Sequence, residues 1–187
     1  MKHLLRRFRR FFREQHGTAT VETVLVLPLL IWTHLATYEY FDAFGTITRN
    51  MRATYTLADM ISRQTGTVTP TYVQGMETLY AFLNHNPPNA WVRVTAVSWD
   101  PNAGSNGQYF VMWSQATDTA DTKLDDISIQ GYTSKLPTIT SADTLIMVET
   151  RMTYVPTFTI AGLPTQTFAQ TVVTQPRLSA QVAFNGT

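Results

Sequence analysis

The chain has 187 residues and a formal net charge of +1, room for one ordinary domain with an appendage but too little for two full catalytic domains. Only 14% of its residues are charged, against about 25% in a typical soluble protein, so its surface is either polar and uncharged or in contact with lipid. There is no cysteine, which excludes disulfides, thiolate zinc sites and thiol catalysis, and 31 threonines predict a β-rich body, because a branched Cβ suits a pleated strand better than a helix interior.

The near-neutral total hides an asymmetry. In residues 1–16, Lys2, Arg6, Arg7, Arg9, Arg10 and Arg13 stand against Glu14 alone, and everything after position 17 is net acidic. An acidic body argues against nucleic acid as its partner. The basic arm leads into the apolar run Val24, Leu25, Val26, Leu27, Pro28, Leu29, Leu30, Ile31 and Trp32, and basic residues beside such a run hold that end in the cytoplasm. Membrane lipid is therefore the first expected partner.

From Thr23 to Tyr38 no residue carries a formal charge, which makes about 24 Å of helix at 1.5 Å per residue, short of a hydrocarbon core of about 30 Å. Counting from Thr18 gives about 32 Å but draws Glu22 towards the apolar layer, where an acidic side chain costs on the order of 2.5–3.5 kcal/mol near a helix centre and less at the interface. A headgroup-solvated Glu22 at the membrane edge is the plain alternative. A secretory signal would place small residues after the run, and Trp32, Thr33, His34, Leu35 and Ala36 do not fit that pattern.

The residues upstream do fit another pattern. Gly17, Thr18, Ala19, Thr20, Val21 and Glu22, then an apolar stretch interrupted by Pro28, resemble a class III signal, cut by a prepilin peptidase between a Gly and the first mature residue, with Glu fifth in the mature chain. More narrowly, Gly17 to Ile31, together with a terminal strand Thr171, Val172, Val173, Thr174, Gln175 running into Pro176 and Arg177, is similar to the TadE family, minor pilins of the tight-adherence (Flp) pilus. The resemblance touches both ends of the chain, with the middle matched only in its pattern of strands. The absence of cysteine departs from some relatives.

The resemblance implies a processing site at Gly17 and Thr18, and a helix-assembly charge at Glu22 that neutralises the amine of a neighbouring subunit. It implies as partners the prepilin peptidase, other minor and major pilins and the inner-membrane assembly platform. It implies a single-pass inner-membrane location, N-terminus cytoplasmic and C-terminal domain periplasmic, and leaves open both incorporation in a surface pilus and whether the protein primes, caps or regulates it. A membrane-anchored binding or adhesion protein that keeps its leader is the alternative of a different class, and a secretion-system pseudopilin shares the same leader logic.

Beyond the membrane stretch, Phe41, Phe44, Thr48, Met51, Tyr55, Ala58 and Ile61 recur at intervals of three and four, predicting one helix from about Thr20 to Gln64 whose outer half packs this stripe against a sheet. Gly45 is expected to mark a bend and Pro28 a kink. A linker is expected at Thr65–Pro70, then a helix from about Tyr72 to Leu83 and strands at Trp91–Trp99 and Tyr109–Gln115. The turn from Asp100 to Gly107 is rich in Asn and Gly, which tolerate positive φ. Further strands are expected at Leu145–Val155, with Ile146, Val148, Met152 and Tyr154 on one face and Glu149 and Arg151 on the other, and at Gln166–Thr174. The expected fold is α+β: a long N-terminal helix, membrane-spanning in its first half, then a small antiparallel sheet with one extra helix. The domains divide as 1–17 leader, 18–64 helix and 65–187 periplasmic.

Asp118, Asp121, Asp125 and Asp126 crowd one loop without the EF-hand spacing, so they read as solvated loop charges. No metal, cofactor or catalytic residue is expected: nucleophile elbow, phosphate loop and zinc spacing are all missing from the sequence.

Overall fold

The computed structural model describes residues 16–104, 107–118, 123–141, 143–158 and 162–186. The described residues form two helices, four strands and one short 3-10 helix: α1 (His16–Ser62), α2 (Pro70–Leu83), β1 (Trp91–Asp100), β2 (Gln108–Ala116), the 3-10 helix Ser128–Tyr132, β3 (Thr144–Tyr154) and β4 (Gln166–Thr174). The expected α+β class is the one observed. By backbone contacts the chain divides into two compact units: residues up to Asp42 with Pro156–Pro164, and Ala43–Val155 with Thr165–Thr187.

The second unit is built on one antiparallel sheet in the order β2-β1-β3-β4. β1 and β3 pair without interruption from Trp91↔Arg151 to Ser98↔Thr144, and β3 and β4 from Ile146↔Thr174 to Tyr154↔Gln166. The β1–β2 ladder slips by one residue at Ala96/Val97, a bulge that adds local twist. At the β1–β2 turn Gly107 holds φ +79 against the Trp99 ring, and a Cβ added there would run into that ring. This position therefore requires glycine on two counts.

Period-two alternation sends Val92, Val94, Ile146, Val148, Met152 and Val172 to one face, where they meet Leu57, Ala58 and Ile61 of α1 and Val73, Met76 and Tyr80 of α2. α2 begins two residues before the expected Tyr72, because Thr69 caps it, its Oγ1 accepting from the Tyr72 N–H at 3.2 Å, and Pro70 takes the first turn. The opposite face carries Val97, Leu145 and Met147, covered by Leu124, Ile129 and Leu136 from the excursion between β2 and β3.

The face of α1 that packs on the sheet differs from the expected stripe. Ala43, Thr46, Asn50, Ala53, Thr54, Leu57, Ala58 and Ile61 are buried, whereas Phe41 (73% exposed), Phe44 (64%), Met51 (41%) and Tyr55 (56%) are not. Only Ala58 and Ile61 of the predicted stripe lie in the core. The reason is hydrogen bonding. Asn50 Oδ1 accepts from Tyr80 Oη at 2.8 Å and from Thr150 Oγ1 at 3.3 Å, and Thr54 Oγ1 lies 2.7 Å from Thr150 Oγ1. This network joins α1, α2 and β3, and it makes polar residues the inward ones. α1 runs unbroken through Pro28 and Gly45.

Candidate functional site

Within the first unit, α1 is long and apolar enough to cross a membrane. Val24, Leu25, Val26, Leu27, Leu29, Leu30, Ile31 and Trp32 are each 42–70% exposed. Moving one such side chain fully out of water is worth about 1.5–3 kcal/mol, so eight together need a cover that the described residues do not supply. The polar residues within the stretch are internally satisfied. Thr33 Oγ1 donates to Leu29 O and Thr37 Oγ1 to Thr33 O, both at 2.8 Å, while His34 Nδ1, in the tautomer that carries its proton there, donates to Leu30 O at 3.2 Å. Back-bonding of this kind is what a low-dielectric surrounding demands of hydroxyl and imidazole groups.

Of the residues singled out from sequence, Gly17 and Thr18 fall in the first turn of α1, and Glu22 lies one turn on, on its exposed surface. The basic leader up to residue 15 lies outside the described residues. A second carboxylate, which sequence reasoning did not single out, closes the apolar stretch at its far end. Glu39 is fully buried, and its Oε1 accepts from the Phe158 N–H at 2.6 Å, beside an edge-to-face contact between the Tyr38 and Phe158 rings. Sixteen residues of helix lie between Glu22 and Glu39, whose Cα atoms are thus about 26 Å apart along the axis at 1.5 Å per residue, a little less than the roughly 30 Å of a bilayer's apolar core. The signal for Glu39 was available: it is the first formal charge after the run. Its burial was not, because the partner lies far along the chain.

On the sheet face away from the helices, Arg93 and Glu149 form a buried ion pair at directly opposed positions, with Nε–Oε2 at 2.7 Å and Nη2–Oε2 at 2.6 Å, and Arg93 Nη2 also donates to Tyr132 Oη at 2.9 Å. Burial, followed by the neighbouring Glu149 charge, pushes the Tyr132 phenol up from its ordinary value. The guanidiniums of Arg151 and Arg93 lie 4.7 and 5.1 Å from the centre of the Trp91 ring. Asn89, Ala90, Trp91, Asp118, Arg151, Thr153 and Thr167 line a cleft of about 450 Å³ beside it. The Trp91 Nε1–H is buried and meets no acceptor among the described residues.

The acidic loop does structural work where it is described. Asp125 accepts from the Ser128 hydroxyl and N–H at the start of the 3-10 helix, which holds its carboxyl below the usual range, and Asp126 Oδ1 accepts from the Val111 N–H. Asp121 lies outside the described residues. Among those described, no group of three or more His, Asp or Glu side chains is placed to hold a metal ion. No family model, curated protein or solved structure matches the chain.

Proposed function

We propose that this protein is a minor-pilin-like structural subunit of the TadE type. In this reading a single helix anchors it in the inner membrane, its basic leader is cytoplasmic and its sheet-bearing domain is periplasmic, and it acts in assembling a tight-adherence pilus. The observation that carries the reading is the order of features along α1: Gly17 and Thr18 in the first turn, Glu22 one turn on, then an apolar, exposed stretch long enough to cross a bilayer. Cleavage by a prepilin peptidase after Gly17 frees the amine of Thr18, which is mostly protonated at neutral pH given a reference pKa near 8. Glu22 then compensates the Thr18 amine of a neighbouring subunit, so each charge offsets part of the other's desolvation and the pair sets axial register. The exposed Phe44, Met51 and Tyr55 give neighbouring major or minor pilins a surface to pack on beyond the lipid, while the assembly platform takes up the membrane end.

Two variants in the native host test this. Glu22→Ala is cleaved normally yet fails to co-purify with the major pilin, and Gly17→Ile stays at full precursor length. Normal co-purification of Glu22→Ala contradicts the reading.

A second reading, an anchored binding or adhesion protein that keeps its leader, is favoured by the cleft at Trp91 and Arg151, where an unmatched indole N–H lies beside an aromatic and cationic wall. It predicts an intact N-terminus.

A further inference from the structure

The two edges of the sheet are treated differently. Along β2, two backbone groups are bonded from outside the sheet: the Val111 N–H donates to Asp126 Oδ1 at 2.7 Å, and Tyr109 O accepts from Gln130 Nε2 at 2.7 Å. Along β4, among the described residues, no hydrogen bond reaches the strand from an outer neighbour. Its nine residues, Gln166 to Thr174, contain no charge, no proline and no glycine, and its ladder with β3 has no bulge. These are the devices that usually protect an open edge from pairing with another chain.

We propose that β4 is an interaction surface for a second copy of this chain, the two β4 strands pairing antiparallel about a twofold axis at Gln170. The self-pairing is argued from the residues it brings together. Centred on Gln170, the register opposes Phe168 to Val172 of the second copy, twice by symmetry, on the face where both already belong to the hydrophobic core. It opposes Thr167 to Val173 and Ala169 to Thr171 on the other face, and Gln170 to its own counterpart, whose amides can bond to each other. Aromatic and β-branched cross-strand pairs are stabilising, and no like charges meet. Opposed residues share parity, so the inward faces of the two sheets join without a flip, and two four-stranded sheets become one of eight strands. The proposal does not depend on the pilin reading.

The cysteine-free chain makes the test direct, using the full chain in detergent. Directly opposed residues in an antiparallel pair have Cα atoms about 4.5–5.5 Å apart, within disulfide reach. Under mild oxidation, Gln170→Cys gives a covalent dimer and Met112→Cys, exposed on β2, gives none. Thr167→Cys and Val173→Cys crosslink when mixed but not alone. By light scattering after size exclusion, the unmodified chain is a dimer. Ala169→Lys/Thr171→Lys, which opposes like charges across the axis, weakens the dimer at least tenfold, and Ala169→Lys/Thr171→Glu restores it. A monomeric unmodified chain, whether β4 stays open or takes a strand from another protein, overturns the proposal. So does a dimer that the double lysine variant leaves intact, or crosslinking as strong at Met112→Cys as at Gln170→Cys.

Discussion

Arg93 and Glu149 each keep only about a tenth of their side-chain surface in water, at 9% and 10%, so neither charge has solvent to fall back on. Glu149→Gln removes the negative charge that pairs with the buried Arg93 guanidinium and is expected to cost about 3 kcal/mol or more. Because a buried pair can be replaced by apolar groups at little net cost, Arg93→Met/Glu149→Leu is expected to cost less than Glu149→Gln. Chemical denaturation in one detergent, followed by tryptophan fluorescence, measures both, and a double variant weaker than the single would contradict this account of the pair.

Tyr80 sets a pH limit. Burial pushes its phenol up to about 12, against a smaller lowering from its hydrogen bond with Thr150. The folded state therefore favours the neutral phenol: its contribution is complete below pH 10 and is lost as pH rises towards 12. Stability is expected to fall through that window, and Tyr80→Phe to flatten the fall while losing the bond to Asn50 at all pH values. An alkaline denaturation profile that Tyr80→Phe leaves unchanged would assign the fall to another group.

At the scale of the element, the helix α1 teaches the most about what a sequence reveals. Residues 41–61 contain two stripes at helical spacing, one aromatic and one of small, polar and aliphatic residues, and periodicity alone cannot say which faces the sheet. Bulk favoured the aromatic stripe. The sheet took the other, because Asn50 and Thr54 find Tyr80 and Thr150 across the core, and such long-range partners leave no local trace. Asn50→Ala, which removes the acceptor shared by the Tyr80 and Thr150 hydroxyls, is thus expected to cost about 2 kcal/mol, whereas Met51→Ala, one residue on and exposed, is expected to change stability by about 0.5 kcal/mol or less. Equal losses from the two variants would contradict the observed orientation of the helix. The strands were easier: in β3 the alternation of Ile146, Val148 and Met152 with Glu149 and Arg151 is a local pattern of period two. That pattern placed Glu149 on the face opposite Ile146, but its opposition to Arg93 emerges only once β1 is paired.

At the scale of the molecule, the fold class, the helix order and all four strands could be read from local signals: apolar residues at helical spacing, an Asn/Gly-rich turn and alternating apolar residues. The apolar stretch of α1, long enough to cross a membrane, was legible for the same reason, as a run of apolar residues needs no partner to be recognised. Glu39 and the Trp91 cleft were not, since each depends on residues brought from far along the chain. The account now turns on whether the chain is matured at Gly17 and held in the bilayer by the helix beyond it. Intact mass spectrometry of the native protein extracted from membranes tests this most directly. The expected species begins at Thr18 and is recovered only with detergent; a chain still beginning at Met1, or one recovered in the soluble fraction, would contradict it.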